Sequence, residues 1–249
     1  MLRGVRGSRK GPIARDAEDL IDRAWEARTT SARVKSARRA LAIDPDALDA
    51  YVILAQSTEA LPEQIALLRE AVRIGRVQWA EAIRRPKDHH FWLDIETRPF
   101  MRALHDLALT LWAHGEREEA AGLADFMLKL NPNDNQGIRF LALEWHGALK
   151  KWGSVERLLK RYRNDERTEY LYAAVLNAFR KGEDADERLA QAAEVNPFVP
   201  QLLLGRSAMP EKAGLPYVEF GSREEAAGYA RSSFEAWGNV PGALAWLEG

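Results

Sequence analysis

Cysteine is absent from this 249-residue chain, and that absence removes disulfides, thiolate metal sites and cysteine nucleophiles together. Long apolar runs are missing as well. Tyr51 to Ala55 and Val199 to Leu204 fall far short of the roughly 20 residues of a membrane-spanning helix. No apolar stretch follows the basic residues of the N-terminus, so no secretory leader is read there and the expected setting is cytoplasmic. Neither charge sign dominates: 36 Lys and Arg face 37 Asp and Glu, a net charge of −1. A dedicated nucleic-acid binder would carry a clear basic excess. A glycine-rich phosphate loop, a serine nucleophile elbow and a framed carboxylate pair are all lacking. The expectation is a protein that is no enzyme and carries no cofactor.

What is present is helical periodicity that repeats. Counting Met101 as position 1, Leu104, Leu107, Ala108, Leu111, Gly115, Ala120 and Pro132 fall at positions 4, 7, 8, 11, 15, 20 and 32. The next unit begins 34 residues later at Asn135, where Ile138, Leu141, Ala142 and Trp145 again take positions 4, 7, 8 and 11. This spacing is that of tetratricopeptide repeats. The expected fold is all-α, a right-handed helical-repeat solenoid of about five helix pairs closed by a C-terminal helical cap.

Residues 1–15 read as a tail, with Arg3, Arg6, Arg9, Lys10 and Arg15 among glycines and a proline. Weak contact with phosphate or anionic lipid through this tail is the one route to nucleic acid. Repeats are expected over residues 16–197, with Asp16 capping the first helix and Asp44-Pro45 closing the first pair. Counting Leu48 as position 1 starts the next pair, but 53 residues separate it from Met101, so an insertion is read at 79–97. It should extend the preceding helix to about Arg85 and then form a loop. A fifth pair is placed at Glu169 to Val195, and residues 198–249 are assigned as the cap, with helices from Ser222 and after Pro241.

Several segments carry a family likeness: Asn196-Pro197-Phe198-Val199-Pro200, Leu202 to Leu204, Gly221 to Tyr229 leading to Trp237, and Gly242-Ala243-Leu244. Upstream, Glu96-Thr97-Arg98-Pro99-Phe100-Met101-Arg102 precedes a repeat. In these stretches, from Glu96 to Leu247, the chain resembles the suppression-of-tumorigenicity-seven (suppressor of tumorigenicity protein 7) family. The resemblance implies a helical-repeat protein and supplies no catalytic residues. Eukaryotic members look membrane-embedded at their N-termini, and this chain shows no such segment.

Positions 2, 5, 9 and 12 of a repeat's first helix line the inner groove, which selects Arg102, His105, Leu109 and Trp112, then Gln136, Arg139, Leu143 and His146. Guanidinium groups bind carboxylates bidentately and a tryptophan buries an apolar anchor, so the groove suits an acidic peptide or protein segment. The competing reading pairs Arg102 and Arg139 with acids of neighbouring helices and packs Trp112 between repeats. Asn133 and Asn135, in an amide-rich turn, are further candidate contacts, although turn and capping chemistry explains most of that run. His89, His90, Asp94 and Glu96 gather metal-ligand types in the insertion without a recognised spacing. The function expected is a non-enzymatic adaptor or scaffold. The alternatives are a metal- or small-molecule-dependent activity at His89 to Glu96, and a purely structural subunit of a larger assembly.

Overall fold

Helical periodicity in the sequence becomes helix in the molecule: a computed structural model contains fourteen α-helices, two 3-10 turns and no strand among the described residues. Those residues are 12–89, 91–210 and 218–249. The chain divides into two compact units, Met1–Gln136 and Gly137–Gly249.

The first unit contains α1 (Pro12–Glu26), α2 (Thr30–Ile43), α3 (Leu48–Ala55), α4 (Leu61–Gln78), α5 (Ala80–Arg84), α6 (Arg98–His114) and α7 (Arg117–Leu130). Consecutive helices pack as pairs, α1 on α2, α3 on α4 and α6 on α7, and α6 also meets α3 and α4. Small residues allow the first helices to approach closely, since Leu20 and Ala24 meet Ala37, Ala40, Ala47, Ala50 and Ile53 in one cluster. Gly75 serves the same end inside α4. A Cβ there would stand 2.2 Å from a ring carbon of fully buried Phe100, so only glycine admits α6 at that distance.

The template positions of α6 behave as the sequence requires: Met101, Leu104, Leu107, Ala108 and Leu111 are all buried. Gly115 then closes the helix with φ of 94°, a left-handed conformation that disfavours side chains. Two boundaries differ from the sequence expectation. The first helix begins at Pro12, so Asp16 lies inside it rather than at its cap. A proline loses no hydrogen bond at a first helical position, which makes Pro12 a favourable start. The helix through Leu61 also stops at Gln78 instead of running to about Arg85. Trp79 leaves helical geometry with φ −103° and ψ 18°, and its buried ring meets buried Phe91 edge-on at 6.5 Å. Burying that aromatic pair competes with, and here overrides, continuation of the helix.

The second unit contains α8 (Ile138–Ala148), α9 (Trp152–Arg161), α10 (Thr168–Lys181), α11 (Ala185–Val195), α12 (Val199–Leu203), α13 (Arg223–Gly238) and α14 (Ala243–Trp246). Ser222 starts α13 by accepting the Glu225 amide at 3.1 Å, a serine cap with glutamate three residues on. Beyond the start of the helix, α13 lies across both α8 and α10. Its Ala226, Ala227, Tyr229, Ala230, Ala236 and Trp237 share a cluster with Tyr172, Val175 and Leu176 of α10. No helix among the described residues is long and apolar enough to cross a membrane.

Candidate functional site

In the first unit, helices α1, α3, α4 and α6 enclose a cleft of about 1330 Å³. Six residues of α1 enter it, Arg15, Ala17, Glu18, Ile21, Asp22 and Trp25, the last four at the i, i+3, i+4, i+7 spacing of one helix face. The turn before α3 adds Asp44 and Asp46, and α3 itself adds Asp49. Arg73 and Val77 come from α4, while Ile95, Glu96, Arg98 and Arg102 come from the approach to α6 and its first turns. Three large apolar side chains stay accessible in this lining: Trp25 at 36%, Val77 at 69% and Ile95 at 72% exposure. Water-facing apolar groups grouped in a concavity are the usual mark of a surface that another molecule covers.

Charge in the cleft is uneven. Arg102 donates to both carboxylate oxygens of Asp49, from Nε at 3.2 Å and Nη2 at 2.6 Å. Arg73 binds Glu70 through Nε at 2.8 Å and Nη2 at 2.7 Å, and this hydrogen bonding holds the Glu70 carboxyl below its ordinary range. Arg98 donates from Nε to the Trp92 carbonyl at 2.9 Å and lies 5.3 Å from that indole. Among the described residues Asp22, Asp44, Asp46 and Glu96 form no ion pair. Tyr51 stands beside the turn before α3, its hydroxyl donating to the Pro45 carbonyl at 3.0 Å. Burial first, then the carboxylates of Glu70, Asp46 and Asp44, push its hydroxyl above the ordinary value against the opposing effect of Arg73.

The residues chosen from the repeat template are placed as follows. Arg102 lines the cleft with its guanidinium already held by Asp49. His105 lies on α6 with Nδ1 3.7 Å from Asp106. Trp112 is half-buried near the end of α6, with the Arg117 guanidinium 4.9 Å over its ring. Neither His105 nor Trp112 lines the cleft. Gln136 ends the first unit half-buried, and Asn133 and Asn135 are exposed on the turn preceding it.

In the second unit, Arg139 pairs with Asp165 and its guanidinium lies 4.1 Å over the Phe140 ring. His146 is 1% exposed, so it leaves a surface site altogether. Next to it, α8 meets α13. A Cβ on Gly147 would stand 2.8 Å from that of Ala236, and Asn239 donates to the Ala148 carbonyl at 2.8 Å. On α10, positions 2, 5 and 9 are Thr168, Leu171 and Val175. Thr168 donates to Glu225 at 2.8 Å, and the other two pack into the α13 cluster. The inner face of α10 is therefore filled by α13. Glu144 is caught in the same contact, accepting from Ser232 at 2.6 Å, and burial pushes its carboxyl up to about 7.

His90 lies outside the described residues, and Asp94 is occupied in capping the turn Ile95–Thr97 by accepting the Glu96 amide at 3.1 Å. Among the described residues no three His, Asp or Glu side chains gather around one point.

Comparison with known proteins agrees with the likeness read from the residues. The family described as ST7 protein matches residues 11–95. The chain resembles the ST7 proteins. It is 26% identical to the suppressor of tumorigenicity 7 protein-like of Rattus norvegicus over 94% of this chain and 46% of that relative. The protein of the same description from Homo sapiens is 25% identical, over 94% of this chain and 45% of its own length, and that of Gallus gallus 24%, over 92% and 46%. The chain thus spans about half the length of these curated ST7 relatives. The likeness also reaches well upstream of Glu96, into α1 to α5, where the cleft is built.

Trp25, Asp22, Asp46, Val77 and Ile95 were not selected as site residues from the sequence, because the template ranks only first-helix inner positions of the regular repeats. A usable signal existed on α1. Ile21 and Trp25 share a face with Glu18 and Asp22, a mixture that a purely core-facing stripe would not carry.

Proposed function

We propose that this chain is a non-enzymatic interaction scaffold whose first unit holds a segment of a protein partner in the cleft between α1, α3, α4 and α6. One observation carries this reading: Trp25, Val77 and Ile95 remain exposed within a concavity of about 1330 Å³. Aromatic and aliphatic anchors of this kind contribute most of the binding energy at protein interfaces, with a polar rim that excludes water. The arginines and acids of the cleft support it further. Arg102 and Arg73 are held in bidentate pairs, so the lining is ordered before a partner arrives and less side-chain freedom is lost on binding.

The test is site-specific photocrosslinking in source cells. A benzophenone side chain at Val77 or at Ile95 should give adducts of the same mass, lost on Trp25→Glu. The same group at Glu118, exposed on α7 outside the cleft, should not. Absence of adducts from both cleft positions, or equal labelling from Glu118, would reject the cleft as the binding surface.

A further inference from the structure

We infer that the segment held in the cleft is cationic, rich in arginine or lysine and carrying at least one apolar anchor. This rests on the cleft reading above. The sequence had suggested the opposite, an acidic partner drawn by Arg102 and Arg139. Neither guanidinium is unengaged: Arg102 is held by Asp49, and Arg139 belongs to the second unit and pairs with Asp165. Arg73 is likewise satisfied by Glu70. Among the described residues, Asp22, Asp44, Asp46 and Glu96 of the cleft then stand outside any ion pair, Asp44 accepting the Asp46 amide at 3.0 Å, against the guanidiniums of Arg15 and Arg98.

The arrangement is more than a group of acids. The carboxylates lie in the same lining as Trp25, Val77 and Ile95, so apolar contact and negative charge are presented together. Beside the turn before α3, burial and then Glu70, Asp46 and Asp44 push the Tyr51 hydroxyl up, against Arg73. Exposed carboxylates retain their hydration, so their main contribution is to steer a positive partner and to reject a negative one, an effect that salt screens within about 8 Å at physiological ionic strength. The apolar side chains then supply the residence time.

Selection from a phage-displayed library of random short peptides on the full-length chain tests this. Peptides combining arginine or lysine with a large apolar residue should be enriched. A synthetic peptide from that pool should lose about tenfold in affinity for Asp22→Lys/Asp46→Lys, and about as much in high salt, with melting temperatures recorded beside each measurement. Enriched peptides without basic bias that still depend on Trp25 would overturn the charge inference and leave the cleft reading standing. Basic peptides insensitive to Trp25→Ala and to the lysine pair would bind elsewhere and overturn both. No enrichment above the bare support would do the same.

Discussion

Two inner faces built from the same kind of helix pair end in opposite states. In the first unit the described residues leave the face between α1, α3, α4 and α6 open, and Trp25, Val77 and Ile95 are exposed there. In the second unit α13 crosses α8 and α10, and Val175, Ala226, Ala227 and Trp237 are all fully buried. The difference shows how little a repeat pattern says about use. Helix pairs produce a groove, but a groove becomes a binding surface only where no later segment of the chain folds into it.

The strongest way to break this comparison is to remove what fills the second unit. Trp237 is completely buried and its indole N–H donates to the Tyr229 hydroxyl at 2.9 Å. Trp237→Ala should cost about 3–5 kcal/mol in urea unfolding, by cavity formation and by loss of a partner for Tyr229. A cost below about 1 kcal/mol would show that α13 rests loosely on the unit and that its groove can open.

A finer test acts on the helix contact itself. Gly147→Ala places a methyl 2.8 Å from the Ala236 Cβ and should destabilise by about 1–3 kcal/mol. Adding Ala236→Gly should recover part of that loss, with a coupling of at least about 0.5 kcal/mol in the double-mutant cycle. Strict additivity would mean that the two positions do not meet in solution.

Acidity probes the same seam. An unfolded glutamate loses its proton near 4.5, whereas burial, eased by the Ser232 hydroxyl and worsened by Glu169, keeps Glu144 protonated to about 7. Between these values the folded state holds the extra proton, so stability falls as pH rises and the loss is complete above about 7. The effect is at most about 3 kcal/mol, reduced by whatever solvent reaches the carboxyl. Glu144→Gln should therefore raise the melting temperature at pH 8 and leave it nearly unchanged at pH 4.5. An equal shift at both values would assign the effect to packing rather than ionisation.

The smallest effect is expected in the open unit. Trp25 is 36% exposed, so Trp25→Ala should change stability by less than about 1 kcal/mol while removing the aromatic anchor of the cleft. A loss above about 2 kcal/mol would make this residue part of the core and narrow the contrast between the units.

Much of the helical organisation was legible because it depends on short-range rules. The buried stripe of α6, the glycine that ends it and the serine cap of α13 are all set within a few residues. The break at Trp79 was not, since its cause is Phe91, twelve positions along and on the far side of a turn. The Arg102 and Asp49 pair was partly readable. Both take position 2 of their repeats, 53 residues apart, and equivalent positions of successive first helices face one another. The contact of Glu144 and Gly147 with α13 could not be foreseen, because that helix arrives from residues 223–238.

By itself the sequence determined the all-helical class, the repeat register, most helix ends and the likeness to the ST7 proteins, since periodicity, caps and turn residues act locally. Which groove the described residues leave open, and what sign of charge it presents, were decided only by the tertiary structure. These depend on contacts such as Ser232 with Glu144, joined across 88 residues. No local rule reaches that far, because burial and ion pairing are fixed by where helices pack and not by the order in which they are read.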